Sequence, residues 1–323
     1  MEMEPVIRID ESDLVAKGGE IKKAIEAQGF ALLEPWDREP DTLRRVGSLF
    51  GDIQSHIRAD ERGVVGVGGP QRAAEWQQFR AEYHGLGTKD VAPHSDGTFV
   101  DGLVVHGDQM LRVGPPRYVI LHVVRHADDG GASVIVDGQR VLATLLRRAP
   151  ELAATLMTPG CITFCRDDQL ALGQCVFRRV APDHVKIRFR GDSKAYAPAW
   201  ALPAVRRLID EYHLAPEFRT RVDVGEGQIL VVDNTRVLHG REQFTNEESG
   251  AGDGRKLHRV WIFDDDDDRL CNVESEVPTS RALDVYRPYG PVRNELAVDS
   301  PIDIQTGIRL DAQSMALLDG AMP

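Results

Sequence analysis

Three side chains in two distant segments of the chain have the types and spacing of a metal site. His94 and Asp96 are separated by one residue, and His239 follows an apolar stretch much further along. In an extended strand alternate side chains share a face, so His94 and Asp96 would lie side by side. An imidazole from a neighbouring strand would complete a set of two imidazoles and one carboxylate. Such a set leaves coordination positions open and is typical of non-haem Fe(II) enzymes that use O2.

Two arginines follow the distal histidine and supply a second kind of chemistry. Arg255 and Arg259 stand at the start of another apolar stretch, in the pattern R-x-x-x-R. A guanidinium can form two parallel hydrogen bonds with a carboxylate, which suits it to the far end of a dicarboxylate. An H-x-D triplet alone would be a weak signal. Together with the distal histidine and the two arginines, it predicts an Fe(II)- and 2-oxoglutarate-dependent oxygenase.

Composition limits the partners of such an enzyme. The net charge of −12 argues against a nucleic-acid or membrane-surface binder, because phosphate groups would repel the chain. No apolar run approaches the ~20 residues of a membrane helix. The acidic N-terminus lacks the features of a secretory signal, so we expect a cytoplasmic enzyme that acts on a small molecule. The four cysteines match no zinc spacing and are expected to be free thiols.

The elements that must position these residues are mostly short strands. Amphipathic spacing predicts helices over 19–28, 42–50, 139–156 (interrupted near Pro150) and 203–213. Apolar, β-branched runs predict strands over 30–33, 118–126, 133–137, 161–166, 176–180, 185–189, 228–233 and 256–263. The glycine-rich segment 64–70 is predicted to be a surface loop. We therefore expect a mixed α/β, mainly β fold: a double-stranded β-helix, or jelly roll, with helical insertions.

One domain over 1–323 is expected, with its core at 20–263. The aspartate run 264–268 is predicted to be a solvated loop. The extension 269–323 is expected to pack on the core, or to serve as a lid or as an arm in a homo-oligomer.

The chain resembles the TauD/TfdA, clavaminate synthase-like branch of Fe(II)/2-oxoglutarate oxygenases over positions 20–263. The resemblance rests on six segments: 25–33, 43–53, 93–97, 130–133, 233–241 and 255–259. It implies that iron is bound by His94, Asp96 and His239. It also implies that Arg255 holds the C5 carboxylate of 2-oxoglutarate with help from the Ser133 hydroxyl. Arg259 would lie near the C1 carboxylate or support the metal site.

Other functions fit part of the pattern. A cupin-like hydrolase or isomerase would use the same triad, with His122 as a further zinc ligand, and a binding protein would carry a degenerate site. The hydrolase or isomerase has no need for Arg255 and Arg259. A degenerate site usually lacks a ligand, and none is missing here.

The substrate is expected to be an amino-acid-like metabolite. The excess of acidic over basic residues is compatible with a cationic substrate. Arg112 and Arg241 are compatible with an anionic one. Hydroxylation is the default reaction, with desaturation, epoxidation and ring closure open as alternatives. Segments 64–70, 104–116 and 164–174 are long enough to act as lids over the site.

Overall fold

The computed structural model describes residues 6–54, 56, 59–68, 88–106, 109–166, 169–181, 184–192, 194–245, 254–263 and 302–305. The chain divides into two compact units. The first comprises 1–93, 116–135 and 220–263, and the second comprises 94–115, 136–219 and 264–323. The aspartate run at 264–268, Cys271 and most of the C-terminal extension lie outside the described residues, and the single oxygenase domain stays a prediction.

The described elements are mostly strands, as the sequence predicted. The α-helices are α1 (Leu14–Gln28), α2 (Pro40–Ser48), α3 (Gly138–Arg148), α4 (Pro150–Met157) and α5 (Leu202–Leu208), with a π-helical turn at Ile209–His213 and a 3-10 turn at Pro216–Phe218. The strands are β1 (Ile7–Arg8), β2 (Phe30–Glu34), β3 (Ile53–Gln54), β4 (Val65–Gly68), β5 (Val91–His94), β6 (Gly102–His106), β7 (Gln109–Val113), β8 (Tyr118–Arg125), β9 (Asp129–Gly130), β10 (Ser133–Asp137), β11 (Ile162–Arg166), β12 (Gln169–Gln174), β13 (Phe177–Ala181), β14 (His184–Ile187), β15 (Ala195–Ala197), β16 (Arg219–Val222), β17 (Ile229–Asp233), β18 (Val237–Arg241), β19 (Phe244–Thr245), β20 (Lys256–Ile262) and β21 (Ile302–Asp303).

A seven-stranded sheet forms most of the first unit. Its order is β1-β2-β17-β8-β20-β3, and β4 also pairs with β20. One face packs against the apolar sides of α1 and α2, through residues such as Ile120, Val231 and Val260. The other face contributes Leu230, Val232 and Leu257 to a second apolar cluster. Because strand side chains alternate, both faces of this sheet are covered by apolar groups.

The second apolar cluster also receives side chains from a four-stranded sheet with the order β16-β10-β18-β5. Ile135, Val222 and Val237 of this sheet pack in the same cluster as Leu230 and Leu257 of the seven-stranded sheet. The two sheets therefore share a core. Val237 fixes the inward face of β18, and alternation places the side chains two and four residues later on that face.

The end of α1 is tied to β18. Gly29 adopts a left-handed conformation with φ 86°, and its N–H donates to the Ile25 carbonyl. A Cβ at Gly29 would come within 2.2 Å of Val237 Cγ1, so glycine is required both by the backbone and by the close approach. The Arg236 guanidinium donates to the carbonyls of Ile25 and Ala27 at the helix terminus. The predicted helix, glycine stop and buried strand are confirmed.

The described residues of the second unit form smaller sheets and three α-helices, α3, α4 and α5. One sheet has the order β12-β11-β15-β21, and β13–β14 and β6–β7 form two-stranded sheets. The Asp137 carboxylate caps α3 by accepting from the N–H groups of Gln139 and Arg140. α3 and α4 are separated at Pro150, as predicted, because proline cannot continue the hydrogen bonding of the preceding turn. Ile302–Asp303 of the extension pairs with β15.

The prediction of a surface loop at 64–70 is wrong for Val65–Gly68, which form an antiparallel strand paired with Lys256–Arg259. Valine alternating with glycine suits a strand once a partner supplies the hydrogen bonds, so this segment belongs to the sheet and is no free lid. The other two segments, 104–116 and 164–174, overlap the antiparallel strand pairs β6–β7 and β11–β12. Their role as lids stays a prediction.

Candidate metal centre and its arginines

The three predicted metal ligands lie together. His94 ends β5, Asp96 lies in the turn two residues later, and His239 is in the middle of β18. The expectation that His94 and Asp96 share one extended strand is therefore wrong, because the strand ends at His94 and the turn brings Asp96 beside it. One potential ligand atom from each residue lies within 4.8 Å of the others, and His94 Nε2 is 3.4 Å from Asp96 Oδ1. Asp96 and His239 are buried, and His94 is partly exposed. In the part of the chain that the structure describes, these three side chains form the cluster of metal-ligand types that could hold an ion.

The turn before His239 sets the start of its strand. The Asp233 carboxylate accepts hydrogen bonds from the Thr235 N–H and hydroxyl at 3.0 and 2.7 Å. Burial raises the pKa of Asp233, and these bonds oppose that rise. The Asn234 amide donates to the Pro116 carbonyl at 2.8 Å. With Arg236 on the helix terminus, the turn fixes where β18 begins.

Gly240 allows β18 to approach β5. A Cβ at Gly240 would lie 2.4 Å from the Val91 carbonyl oxygen and 2.8 Å from Pro93 N. Real Cβ atoms essentially never come so close to backbone, so any larger residue would displace one of the strands. The glycine next to His239 thus has a steric role in the placement of the metal ligands.

The loop after Asp96 is held by Arg188. Its guanidinium donates to the carbonyls of Thr98 and Val100 at 2.7 to 3.0 Å and to Gln174 Oε1 at 2.7 Å. The Ser95 N–H also donates to the Phe189 carbonyl at 2.7 Å. These bonds immobilise the backbone on both sides of Asp96.

An ion pair lies near His94. Arg190 Nε donates to Asp192 Oδ1 at 2.7 Å, and a second guanidinium nitrogen contacts Oδ2. Burial would raise the pKa of Asp192, but the hydrogen bond and charge of Arg190, aided by His94, outweigh it and bring that pKa to about 2. The Asp192 carboxylate is therefore a fixed negative charge beside a metal ligand.

Arg255 and a second arginine, Arg241, both lie near the aromatic ring of Phe244. The guanidinium carbons of Arg241 and Arg255 lie 4.5 and 5.5 Å from the Phe244 ring centroid. A Cβ at Gly131 would lie 3.4 Å from Arg255 Nε, so the absent side chain leaves room for the guanidinium. Burial lowers the pKa of each arginine to about 10, and the neighbouring Arg241 charge further lowers that of Arg255.

Ser133 and Arg259 face the core that the two sheets share. Ser133 is buried and shares a strand face with Ile135, which packs in that core. Arg259 shares a face of β20 with Leu257 and is also buried. Arg259 Nη2 lies 3.3 Å from His56 Nε2, and its guanidinium carbon lies 5.4 Å from the centroid of the Trp261 ring.

His122 lies on the other face of the seven-stranded sheet. It shares a face of β8 with Ile120, which packs in the cluster covered by α1 and α2. Burial lowers the pKa of this imidazole. The hydrolase alternative that used His122 as a zinc ligand is therefore not supported by the geometry.

Several residues of the site were not singled out by the sequence pattern. His56, Phe244, Arg190 and Asp192 have no motif around them, and only the fold brings them to the predicted residues. Arg241 is the exception. It lies two residues after His239, so strand alternation alone places both side chains on one face.

The three cysteines that the structure describes are free thiols, as expected. Cys161, Cys165 and Cys175 are free, and burial raises the pKa of Cys161 to about 12. A thiol with this pKa is neither a ready metal ligand nor a nucleophile.

Two imidazole nitrogens and one carboxylate oxygen, at this separation, fit a divalent iron ion that keeps positions open for other ligands. The donor set defines the class of mononuclear non-haem iron enzymes. The model of the taurine catabolism dioxygenase TauD, TfdA family matches residues 4–261, and the chain belongs to this family. It is an oxygenase that depends on Fe(II), 2-oxoglutarate and O2.

Curated relatives are dioxygenases. A uridine-5'-phosphate dioxygenase of Amycolatopsis sp is 24% identical over 233 residues, covering 69% of this chain and 82% of the relative. The mitochondrial trimethyllysine dioxygenase of Rattus norvegicus is 26% identical over 163 residues. That match covers 46% of this chain and 38% of the relative.

Solved structures share the mixed, mainly β fold. Asparagine oxygenase in complex with Fe(II), 2S,3S-3-hydroxyasparagine and succinate has a TM-score of 0.56 at 15% identity, covering 80% of this chain and 94% of that chain. The non-heme iron oxygenase OrfP in complex with Fe, succinate and (3S)-hydroxy-L-Arg has a TM-score of 0.53 at 15% identity, with the same coverage. Among the described helices, none combines the length and apolar character that a membrane span requires.

Proposed function

We propose that this enzyme hydroxylates a small-molecule metabolite, an amino acid or a derivative of one, and converts 2-oxoglutarate to succinate and CO2. The observation that carries the proposal is the His94, Asp96 and His239 group. The relatives support the small-molecule class: their names specify uridine-5'-phosphate and trimethyllysine, and the solved structures hold hydroxylated asparagine and arginine.

In this proposal His94, Asp96 and His239 hold the iron, which supplies the oxidising chemistry with O2 and 2-oxoglutarate when bound. Both imidazoles must be neutral to donate a lone pair. The guanidinium of Arg255 pairs with the C5 carboxylate, and the Ser133 hydroxyl donates to the same group. Arg259 lies near the C1 carboxylate or supports the metal site. The apolar side chains of the two sheets exclude water from the reacting atoms.

We further propose that the two sheets form the double-stranded β-helix expected from the sequence. The support is their shared apolar cluster, to which Ile135 and Val237 contribute from one sheet and Leu230 and Leu257 from the other. Such a barrel places inward side chains of both sheets around one site.

Metal binding tests the triad directly. Anaerobic Fe(II) titration of the full chain should give one ion per chain, and His94→Ala and His239→Ala should each lower the affinity more than about 100-fold, beyond the effect of residues outside the ligand set. His126→Ala is the matched control, because its ring lies outside the group and contacts the Ala127 carbonyl. Unchanged Fe(II) affinity in both His94→Ala and His239→Ala would show that these residues do not form the metal site.

The cosubstrate and the substrate need separate measurements. Arg255→Lys keeps the charge but loses the fork, so 2-oxoglutarate affinity should fall about tenfold while metal affinity is retained. If only Arg259→Lys has this effect, the two roles are reversed.

Succinate release and mass spectrometry over free amino acids, nucleotides and peptides would identify the substrate. A mass gain of one oxygen on long peptides alone would contradict the small-molecule class.

A further inference from the structure

We propose that Arg241 is a second cosubstrate-binding residue, and that Arg241 and Arg255 together form a two-guanidinium site for the far carboxylate of 2-oxoglutarate. The inference rests on the proposed function, since it assumes that Arg255 binds that carboxylate. It adds a residue that the family resemblance did not imply.

The first argument is geometric. The two guanidinium carbons lie 4.5 and 5.5 Å from one ring centroid, that of Phe244. Arg241 shares a face of β18 with His239 and with Val237, which packs in the core shared by the two sheets. Arg241 is thus a cation on the strand face that carries His239, and its guanidinium and that of Arg255 both lie near the Phe244 ring.

The second argument is electrostatic. Two like charges near one aromatic ring, in a place largely shielded from water, disfavour each other. The Asp90 carboxylate opposes this effect at Arg241. That carboxylate also accepts the Gln243 N–H, so it has a structural partner of its own. A carboxylate bound at both arginines would offset the repulsion and gain charge-assisted hydrogen bonds.

The third argument concerns how the pair is held. Arg241 Nη2 donates to the Lys89 carbonyl, and the Phe244 N–H donates to the Thr88 carbonyl at 2.9 Å. The Gly131 N–H donates to the Gln243 carbonyl at 3.0 Å. The Arg241 guanidinium, the Phe244 backbone and the Gly131 backbone beside Arg255 are therefore each held by a hydrogen bond.

The test compares two ligands that differ only at the far end. 2-Oxobutanoate carries the 2-oxo acid group of 2-oxoglutarate but lacks the second carboxylate. Calorimetric titration of the Mn(II)-loaded full chain should show that Arg241→Gln raises the Kd of 2-oxoglutarate at least about tenfold, the loss of one charge-assisted bond. The Kd of 2-oxobutanoate should not change. Arg221→Gln is the matched control, since Arg221 is on β16 of the same sheet and its side chain is 53% exposed.

A purely structural role predicts another pattern. If Arg241→Gln weakens both ligands equally, or neither, the inference is wrong. If Arg255→Gln also leaves 2-oxoglutarate binding unchanged, the proposed cosubstrate site is wrong. If Arg255→Gln weakens 2-oxoglutarate binding and Arg241→Gln does not, the proposed function stands and only the role of Arg241 is wrong. If Arg241→Gln does not bind Mn(II), the test is repeated with Arg241→Lys, which keeps the positive charge. The inference again requires weaker binding of 2-oxoglutarate and unchanged binding of 2-oxobutanoate.

Discussion

At the scale of single residues, the site is built from buried charges that neighbouring groups hold in place. The Asp192 carboxylate is paired with Arg190, and Arg259 lies against His56 and Trp261. The sequence predicted the group of His94, Asp96 and His239 because the residue types and the short spacing of His94 and Asp96 are local properties. It did not predict these partners, because Arg190, His56 and Trp261 carry no distinguishing motif.

The depressed pKa of Asp192 has a consequence for stability. A carboxyl whose folded pKa is about 2 stabilises the fold above its unfolded value of 3.8, and that stability is lost as pH falls towards 2. Asp192→Asn should therefore destabilise the metal-free protein by about 2 kcal/mol at pH 7, and by about half of this at pH 3. Urea unfolding at both pH values measures the difference. An equal cost at pH 7 and pH 3 would contradict the ion-pair explanation.

At the scale of elements, β18 is the strand on which the metal site depends. It meets the end of α1 at Gly29 and meets β5 at Gly240, and at both positions a Cβ would clash. Gly29 was predictable as a helix stop because the helix pattern ends there. Its contact with Val237 was not, since the two residues are far apart in sequence.

The role of Gly240 can be tested without altering a metal ligand. Gly240→Ala should cost about 1–3 kcal/mol, because the new methyl group overpacks the backbone at Val91 and Pro93. It should also lower Fe(II) affinity, by displacing β5 from β18. Gly19→Ala is the control: nothing lies within 4 Å of its Cβ position in α1, so alanine should stabilise the helix by up to about 1 kcal/mol. Urea unfolding and metal titration report the two effects, and unchanged metal affinity in Gly240→Ala would refute the steric role.

At the scale of the whole molecule, the net charge of the chain is negative, whereas the arginines of the proposed cosubstrate site are positive. The chain carries a net charge of −12, yet the residues of the proposed cosubstrate site include Arg241 and Arg255, two cations largely shielded from water. Overall charge affects the approach of distant ions, whereas binding depends on the few charges that are shielded from water. The acidic composition therefore did not predict that two cations would lie together near one ring in this part of the fold.

Ligand binding should stabilise the whole fold. The metal and 2-oxoglutarate bind the folded chain, so each raises the free energy of unfolding, by about 2.7 kcal/mol at 100 times its Kd. Thermal unfolding of the full chain should therefore shift upward with Mn(II), and further with added 2-oxoglutarate. In His94→Ala the shift with Mn(II) should be absent. A shift that persists in this variant would mean that the metal binds elsewhere.

The sequence by itself predicted the group of His94, Asp96 and His239, most of the described helices, several of the longer strands and the family, because these depend on local spacing and on the types of side chain. The tertiary structure decided what depends on distant segments meeting. It made 65–68 a strand by pairing it with 256–259, and it separated His122 from the metal ligands by the sheet itself. It also brought Arg241 and Arg255 to one ring. Register and packing between segments far apart in the chain produce these results, and neither is encoded in the local pattern.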